Sequence, residues 1–279
     1  MLKFVSINIM IVINIMFEIM LKNVDKLIKK VVLSTFLVFM VVIKKSNLII
    51  SFVLVLTFLT FVLCFGAISE NPIGSAYASK IKVVLDAGHG GVDGGVVGVR
   101  TGVKESELNL KVVKKLEQYL LDAGFIVVLT RSSEAGLYGV ANSTLKRKDM
   151  EKRKNIIAKN KPNLVVSVHM NQYSLSTRRG AQVFYNQDND NSKLLAQSVQ
   201  DCFNSMKEAV RTCSALSGDY YIIKCTEYPS IIAECGFLSS PEDEALLITD
   251  GYQESLAYTI FKGISTYLAQ TTFIYQSWI

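Results

Sequence analysis

Ile81-Lys82-Val83-Val84-Leu85-Asp86-Ala87-Gly88-His89-Gly90-Gly91 is the stretch on which the reading of this chain turns. An apolar run of β-forming residues ends abruptly in a glycine-rich turn that carries a histidine. The chain holds two histidines in 279 residues. The other, His169, closes a second such run, Leu164-Val165-Val166-Ser167-Val168-His169-Met170-Asn171. Continuous apolar runs of this length, bounded by turn residues, read as strands buried on both faces.

Helical stripes alternate with these strands. In residues 105–122, Leu108, Val112, Leu116 and Leu120 recur at helical spacing, and Gly124 supplies a C-terminal stop. Further strands are predicted at 125–130, 164–168 and 181–185, with short ones at 220–223 and 230–233. Ser143 is placed to cap a very basic helix running to about residue 159. Residues 192–210 form a helix with Leu195, Val199, Cys202, Phe203 and Met206 inward; residues 252–268 form another with Leu256, Ile260, Ile264 and Leu268 inward. Strands alternating with amphipathic helices imply an α/β fold: one domain, a mixed sheet flanked by helices on both faces. In such sheets ligands sit beyond the C-terminal ends of the strands.

That rule gives three polar residues a common destination. His89 lies four residues past the first predicted strand, His169 ends the Leu164 run, and Glu234 ends Ser230-Ile231-Ile232-Ala233-Glu234. Glu105, opening the first helix, reaches the same edge. Two imidazoles and a carboxylate suit a catalytic zinc with three protein ligands and one open position. His89, Glu105 and His169 fit that set, and Glu234 is the candidate for moving the proton of a water. From the pattern alone Glu107 competes with Glu105, and Glu227 with Glu234. The glycine-rich turn is neither G-x-G-x-x-G nor followed by G-K-[ST], which argues against a nucleotide cradle.

Half of the residues are hydrophobic and the formal net charge is +6. Both figures are weighted by the N-terminal part. Seven of the 30 Lys/Arg and three of the 24 Asp/Glu lie in residues 1–78, so the rest carries 23 basic against 21 acidic residues. A nearly neutral remainder argues against nucleic-acid binding. The five cysteines, Cys64, Cys202, Cys213, Cys225 and Cys235, form no C-x-x-C pair, which argues against a zinc ribbon. Cys202 and Cys213 are read as free thiols, with a disulfide between them as the alternative.

Lys44-Lys45, an apolar run over 48–68 and Ala76-Tyr77-Ala78 together make a secretory signal with cleavage after Ala78. The run is also long enough, at about 20 residues, to stay as a membrane anchor. Two more apolar patches, 4–20 and 31–43, lie upstream. Either they belong to a multi-pass anchor or residues 1–43 are not translated, with the true start near Lys44. The expected organisation is therefore an N-terminal hydrophobic region (1–78, signal or anchor at 44–78), a catalytic domain (79–270) and a tail (271–279), with membrane contact only through the first.

Four motifs carry a resemblance. Leu85-Asp86-Ala87-Gly88-His89-Gly90-Gly91, Glu105-Ser106-Glu107-Leu108-Asn109-Leu110, Ser167-Val168-His169-Met170-Asn171 and Glu234-Cys235-Gly236-Phe237-Leu238-Ser239-Ser240 are similar to the zinc-dependent N-acetylmuramoyl-L-alanine amidases of the type-3 family. The similarity spans residues 81–268, and Leu129-Thr130-Arg131 fits it too. Ala87 and Ser106 depart from the residues common there, Pro and Lys. The resemblance implies a phosphorylase/hydrolase-like fold, one zinc on His89, Glu105 and His169, Glu234 as base, and Glu105 rather than Glu107 as ligand. The implied substrate is the amide between the lactyl group of N-acetylmuramic acid and L-alanine in peptidoglycan. Within the family the chain looks like the spore-cortex, germination-specific amidases, with a signal segment, one catalytic domain and a basic segment around Arg147 to Arg153. That similarity implies muramic-δ-lactam formation together with a deacetylase, a lipoprotein activator, and a place in the cell wall or forespore intermembrane space. Asn171, Arg153 and Arg178 are the candidate substrate contacts. The rival readings are another exported metallopeptidase and a non-catalytic wall-binding module.

Overall fold

The computed structural model describes residues 81–137 and 145–276. The expected signal or anchor, the late start and the Ser143 cap lie outside the described residues. Among the described residues, no helix is long and apolar enough to cross a membrane.

In chain order the elements are β1 (Lys82–Ala87), α1 (Glu105–Asp122), β2 (Ile126–Leu129), α2 (Leu145–Asn160), β3 (Leu164–Asn171), β4 (Gln182–Tyr185), α3 (Asp190–Asn204), β5 (Leu216–Ser217), α4 (Tyr221–Lys224), β6 (Ser230–Phe237), α5 (Pro241–Leu247) and α6 (Asp250–Gln276). The six strands form one sheet in the order β2-β1-β3-β6-β4-β5. β2, β1, β3 and β6 run parallel; β4 pairs antiparallel with β6, and β5 parallel with β4. The expected mixed α/β sheet is what the chain builds.

Period-two alternation along the strands sorts the side chains into two layers. Val83, Leu85 and Ala87 of β1, Val166 and Val168 of β3, and Ile231 and Ala233 of β6 share a core with Leu108, Leu116 and Leu120 of α1, Val199 of α3 and Ile260 and Ile264 of α6. Burying each such Leu or Ile contributes about 1.5–3 kcal/mol. Val84, Val165 and Ile232 point the other way, onto Ile157 of α2 and Ile222 and Ile223 of α4. The same parity sends Asp86, Ser167, His169 and Glu234 to this second face, so the polar residues of the central strands gather on the α2/α4 side.

Several boundaries differ from expectation. Residues 220–223 are not a strand. Tyr221–Lys224 is a single helical turn, closed by the Cys225 N–H donating to Tyr221 O at 2.8 Å, and the edge strand is Leu216–Ser217 instead. A four-residue apolar run cannot be assigned by periodicity. α3 starts at Asp190, capped by the Asn189 side chain, and stops at Asn204 rather than 210. There the Asn204 side chain donates to Cys213 O and accepts from Cys213 N, turning the chain back on itself. α5 was not foreseen, although Ser240 caps it, Pro241 opens it and Glu242, Asp243 and Glu244 fill its first turn. α6 runs to Gln276, through most of the expected tail. Cys202, Cys213, Cys225 and Cys235 are all free.

Candidate active site

β3 and β6 continue past the positions where the sequence pattern ends them. His169 and Glu234 therefore stand within their strands, side by side in parallel register. The pairing shifts between His169 and Asn171, a local irregularity of the kind that re-aims side chains beside functional sites. β1 likewise runs two residues beyond the expected Leu85, to Ala87. Gly88 N still donates to Val168 O at 3.1 Å, and His89 then turns the chain in a left-handed conformation, φ 59°.

Glu105 sits at the first position of α1, 1% exposed. Its carboxylate accepts from Val96 N at 2.9 Å, Met170 N at 3.2 Å and Asn109 Nδ2 at 3.2 Å. It also faces both imidazoles: Oε1 lies 2.8 Å from His169 Nδ1, and Oε2 lies 3.2 Å from His89 Nε2. The two rings meet edge to face with centroids 5.1 Å apart. Among the described residues, His89, Glu105 and His169 are the group of three whose ligand atoms all fall within 4.8 Å of one another. Glu107 is not in it, so the geometry selects Glu105.

The other nitrogen of His89, Nδ1, lies 2.9 Å from Asp93 Oδ2. Nδ1 is thus turned to Asp93 while Nε2 faces Glu105, the arrangement by which a neighbouring carboxylate can orient a metal-ligating histidine. Asp93 Oδ1 in turn accepts from Gly95 N at 3.1 Å. Asp93 was overlooked as a functional residue. Its position four residues beyond a candidate ligand, in the same turn, was the available signal.

Two glycines leave room for this convergence. A Cβ at Gly88 would lie 2.2 Å from His169 Cε1, and one at Gly95 would lie 2.4 Å from Glu105 Oε2. The electrostatics favour a cation in the same place. Burial alone would lower the pKa of His89, but Asp93 and Glu105 outweigh it and raise it to about 9. Burial would raise Glu105, yet hydrogen bonds and charge from His169 and His89 hold it well below the usual carboxylate range. Donor type, convergence and field all fit a bound divalent ion such as zinc.

Glu234 is 7% exposed, and its Oε2 is buried with no hydrogen-bond partner in the protein. Burial pushes its pKa up to about 7; the charges of His169 and His89 oppose this and that of Glu105 adds to it. An acceptor of that strength can take and return a proton near neutral pH. Glu234, His89, Glu105 and His169 all line one cleft of about 800 Å³, walled by Lys146 and Met150 of α2 and by Tyr220, Tyr221 and Ile222. Glu227, the other candidate base, lies exposed on the loop before β6.

The three candidate substrate contacts fare differently. Asn171 lines the cleft, its Oδ1 accepting from Gln172 N at 2.7 Å. Arg178 lies over the rings of Tyr173 and Phe237, beyond the cleft lining. Arg153 is 0% exposed and bound to Asp86, Asp149 and two backbone carbonyls, so it is not placed to touch a substrate. A basic run in the sequence does not reveal which of its members turns inward.

Comparison with known proteins agrees with this geometry. The family described as N-acetylmuramoyl-L-alanine amidase matches residues 83–266. A germination-specific N-acetylmuramoyl-L-alanine amidase of Bacillus subtilis (strain 168) is 31% identical over 192 residues, 67% of this chain and 80% of that relative. The structure of the CwlD amidase from Clostridioides difficile, in complex with the GerS lipoprotein, matches with a TM-score of 0.65 at 32% identity, over 68% of this chain and 98% of that one. The catalytic domain of CwlV, an N-acetylmuramoyl-L-alanine amidase from Bacillus(Paenibacillus) polymyxa var. colistinus, matches with a TM-score of 0.59 at 29% identity, over 68% and 98%. The chain belongs to the N-acetylmuramoyl-L-alanine amidase family, hydrolases that act on peptidoglycan at the amide between N-acetylmuramic acid and L-alanine.

Proposed function

We propose that the amidase is zinc-dependent, with His89, Glu105 and His169 as the ligands and Glu234 as the group that moves the proton. The observation that carries this reading is the pairing of an orphaned carboxylate oxygen on Glu234 with His169 on the same rung of the sheet. When bound, zinc would supply Lewis acidity toward the amide carbonyl and lower the pKa of a water toward neutrality. Glu234 accepts a proton from the attacking water. It then delivers that proton to the alanine nitrogen as the C–N bond breaks, leaving a free amine and a lactyl carboxylic acid that ionises to carboxylate by losing the second water proton to solvent. Asp93 keeps His89 in one tautomer through the cycle. The cleft beside Glu234 gives the muramyl and alanyl groups on either side of the bond a place to lie.

The role we assign is in the spore cortex, where removal of the stem peptide acts together with a deacetylase in forming muramic-δ-lactam. The germination-specific relative and the lipoprotein complex of the CwlD amidase support it. We extend the same reading to a lipoprotein activator, to export or anchoring through residues 1–78, and to a catalytic domain over 79–270. The test is cortex composition in a strain carrying only Glu234→Gln. Loss of muramic-δ-lactam is expected; a normal lactam content contradicts the role.

A further inference from the structure

Two buried guanidiniums grip the backbone around the ligand-bearing turns. Arg131, 4% exposed, donates through Nε to Ala87 O at 2.8 Å and through Nη1 to Ser133 O at 2.9 Å. Its Nη2 donates to both Gly88 O at 2.9 Å and Ser106 O at 2.8 Å. One nitrogen therefore ties the residue before His89 to the residue after Glu105. Arg153 donates to Ala87 O at 2.8 Å and His89 O at 2.7 Å, and its charge is met by Asp86 and Asp149. Three successive carbonyls, of Ala87 at the end of β1 and of Gly88 and His89 beyond it, are thus held by planar forks.

The held turn also packs against the third proposed ligand. His169 Cε1 sits 2.2 Å from where a Cβ on Gly88 would be, so the imidazole lies directly against the Gly88 backbone. His89 itself is held in a left-handed conformation that is unfavourable for a residue with a side chain, and the bond from Arg153 to its carbonyl opposes relaxation.

We propose that Arg131 and Arg153 are positioning residues, a brace that sets the spacing of His89, Glu105 and His169 and through it the affinity for the metal. The inference rests on the metal reading given above. A lysine carries the same charge but cannot reproduce the fork, so charge and geometry are separable.

The experiment compares the full chain with Arg131→Lys, Arg153→Lys and the near-isosteric Asp149→Asn, which loosens Arg153 from one side. Zinc affinity is measured by competition with a chromophoric chelator, the thermal transition reports the fold, and the visible spectrum of the cobalt-substituted protein reports ligand geometry. Each lysine variant is expected to bind zinc about 10-fold more weakly or worse, the scale of lost outer contacts at metal sites, with an altered cobalt spectrum. Asp149→Asn is expected to show a smaller loss, and it decides the matter for Arg153 should Arg153→Lys lose its thermal transition; the cobalt spectrum and zinc affinity of Arg131→Lys, measured below its transition, decide it for Arg131. Failure of the parent to bind zinc overturns the metal reading and the brace together. A parent that binds zinc, alongside folded variants of equal affinity and unchanged cobalt spectrum, overturns the brace alone.

Discussion

Glu234 stands opposite His169 in the parallel pairing of β3 and β6, and the two side chains emerge on the same face of the sheet. The proposed proton carrier and a proposed metal ligand are thus fixed to each other by strand pairing rather than by a mobile loop. Glu234→Gln keeps the size and removes the basicity. It is expected to lower kcat by about 10²–10⁴-fold, the usual scale for general acid–base groups, with zinc content unchanged. Kinetics and metal analysis on the same preparation check this, and near-parental kcat removes Glu234 from the role.

Asp93 pairs with His89 at 2.9 Å and stands outside the His89, Glu105, His169 group. Asp93→Ala is expected to weaken zinc binding by about 10–100-fold. Asp93→Asn, which retains an acceptor oxygen for the His89 N–H, is expected to recover part of that loss. Equal zinc affinity for the parent and the alanine variant would show that the 2.9 Å contact is incidental.

Gly88→Ala tests the close approach of β1 to His169. The new methyl group would overlap the imidazole, so ring or backbone must give way. The expected result is loss of bound zinc and a lowered melting temperature. A fully zinc-loaded alanine variant contradicts the tight geometry described above.

Asp86 gives the fold an acid limit. Burial would raise its pKa, but the charge of Arg153 and hydrogen bonds from Ser167 and Thr130 outweigh it, lowering it from 3.8 to about 2. A depressed carboxylate stabilises the fold in full above its unfolded pKa and loses that contribution as pH falls through the folded one. The shift corresponds to about 2 kcal/mol, lost between roughly pH 4 and pH 2. Urea unfolding across that range is expected to show this component in the parent and not in Asp86→Asn, which is also less stable at pH 7. Identical pH dependence in the two proteins contradicts the assignment.

Much of this site was legible in the sequence for a simple reason. His89, His169 and Glu234 follow apolar runs, and buried strands in an α/β sheet deliver their trailing residues to one edge, while Glu105 opens the first helix. α1 was readable to the residue because its stripe is long and its boundaries are marked by Glu105 and Gly124. The features that escaped depend on contacts between distant segments. Arg153 belongs to a basic run whose other members give no hint that its guanidinium reaches Asp86, 67 residues earlier. The Tyr221–Lys224 turn carries two buried isoleucines that suit a strand as well as a helix. The choice of Glu105 over Glu107, which spacing alone left open, follows once α1 aims the first carboxylate at both imidazoles and leaves the second half-buried outside the cluster.

The most direct test of the account is mass spectrometry of muropeptides after purified, zinc-loaded protein has acted on peptidoglycan. The account predicts glycan fragments with a free lactyl carboxylate, and stem peptides with a new N-terminal L-alanine, in equal amounts. Zinc-loaded protein that leaves this amide intact, or that cleaves only within the stem peptide, would contradict it.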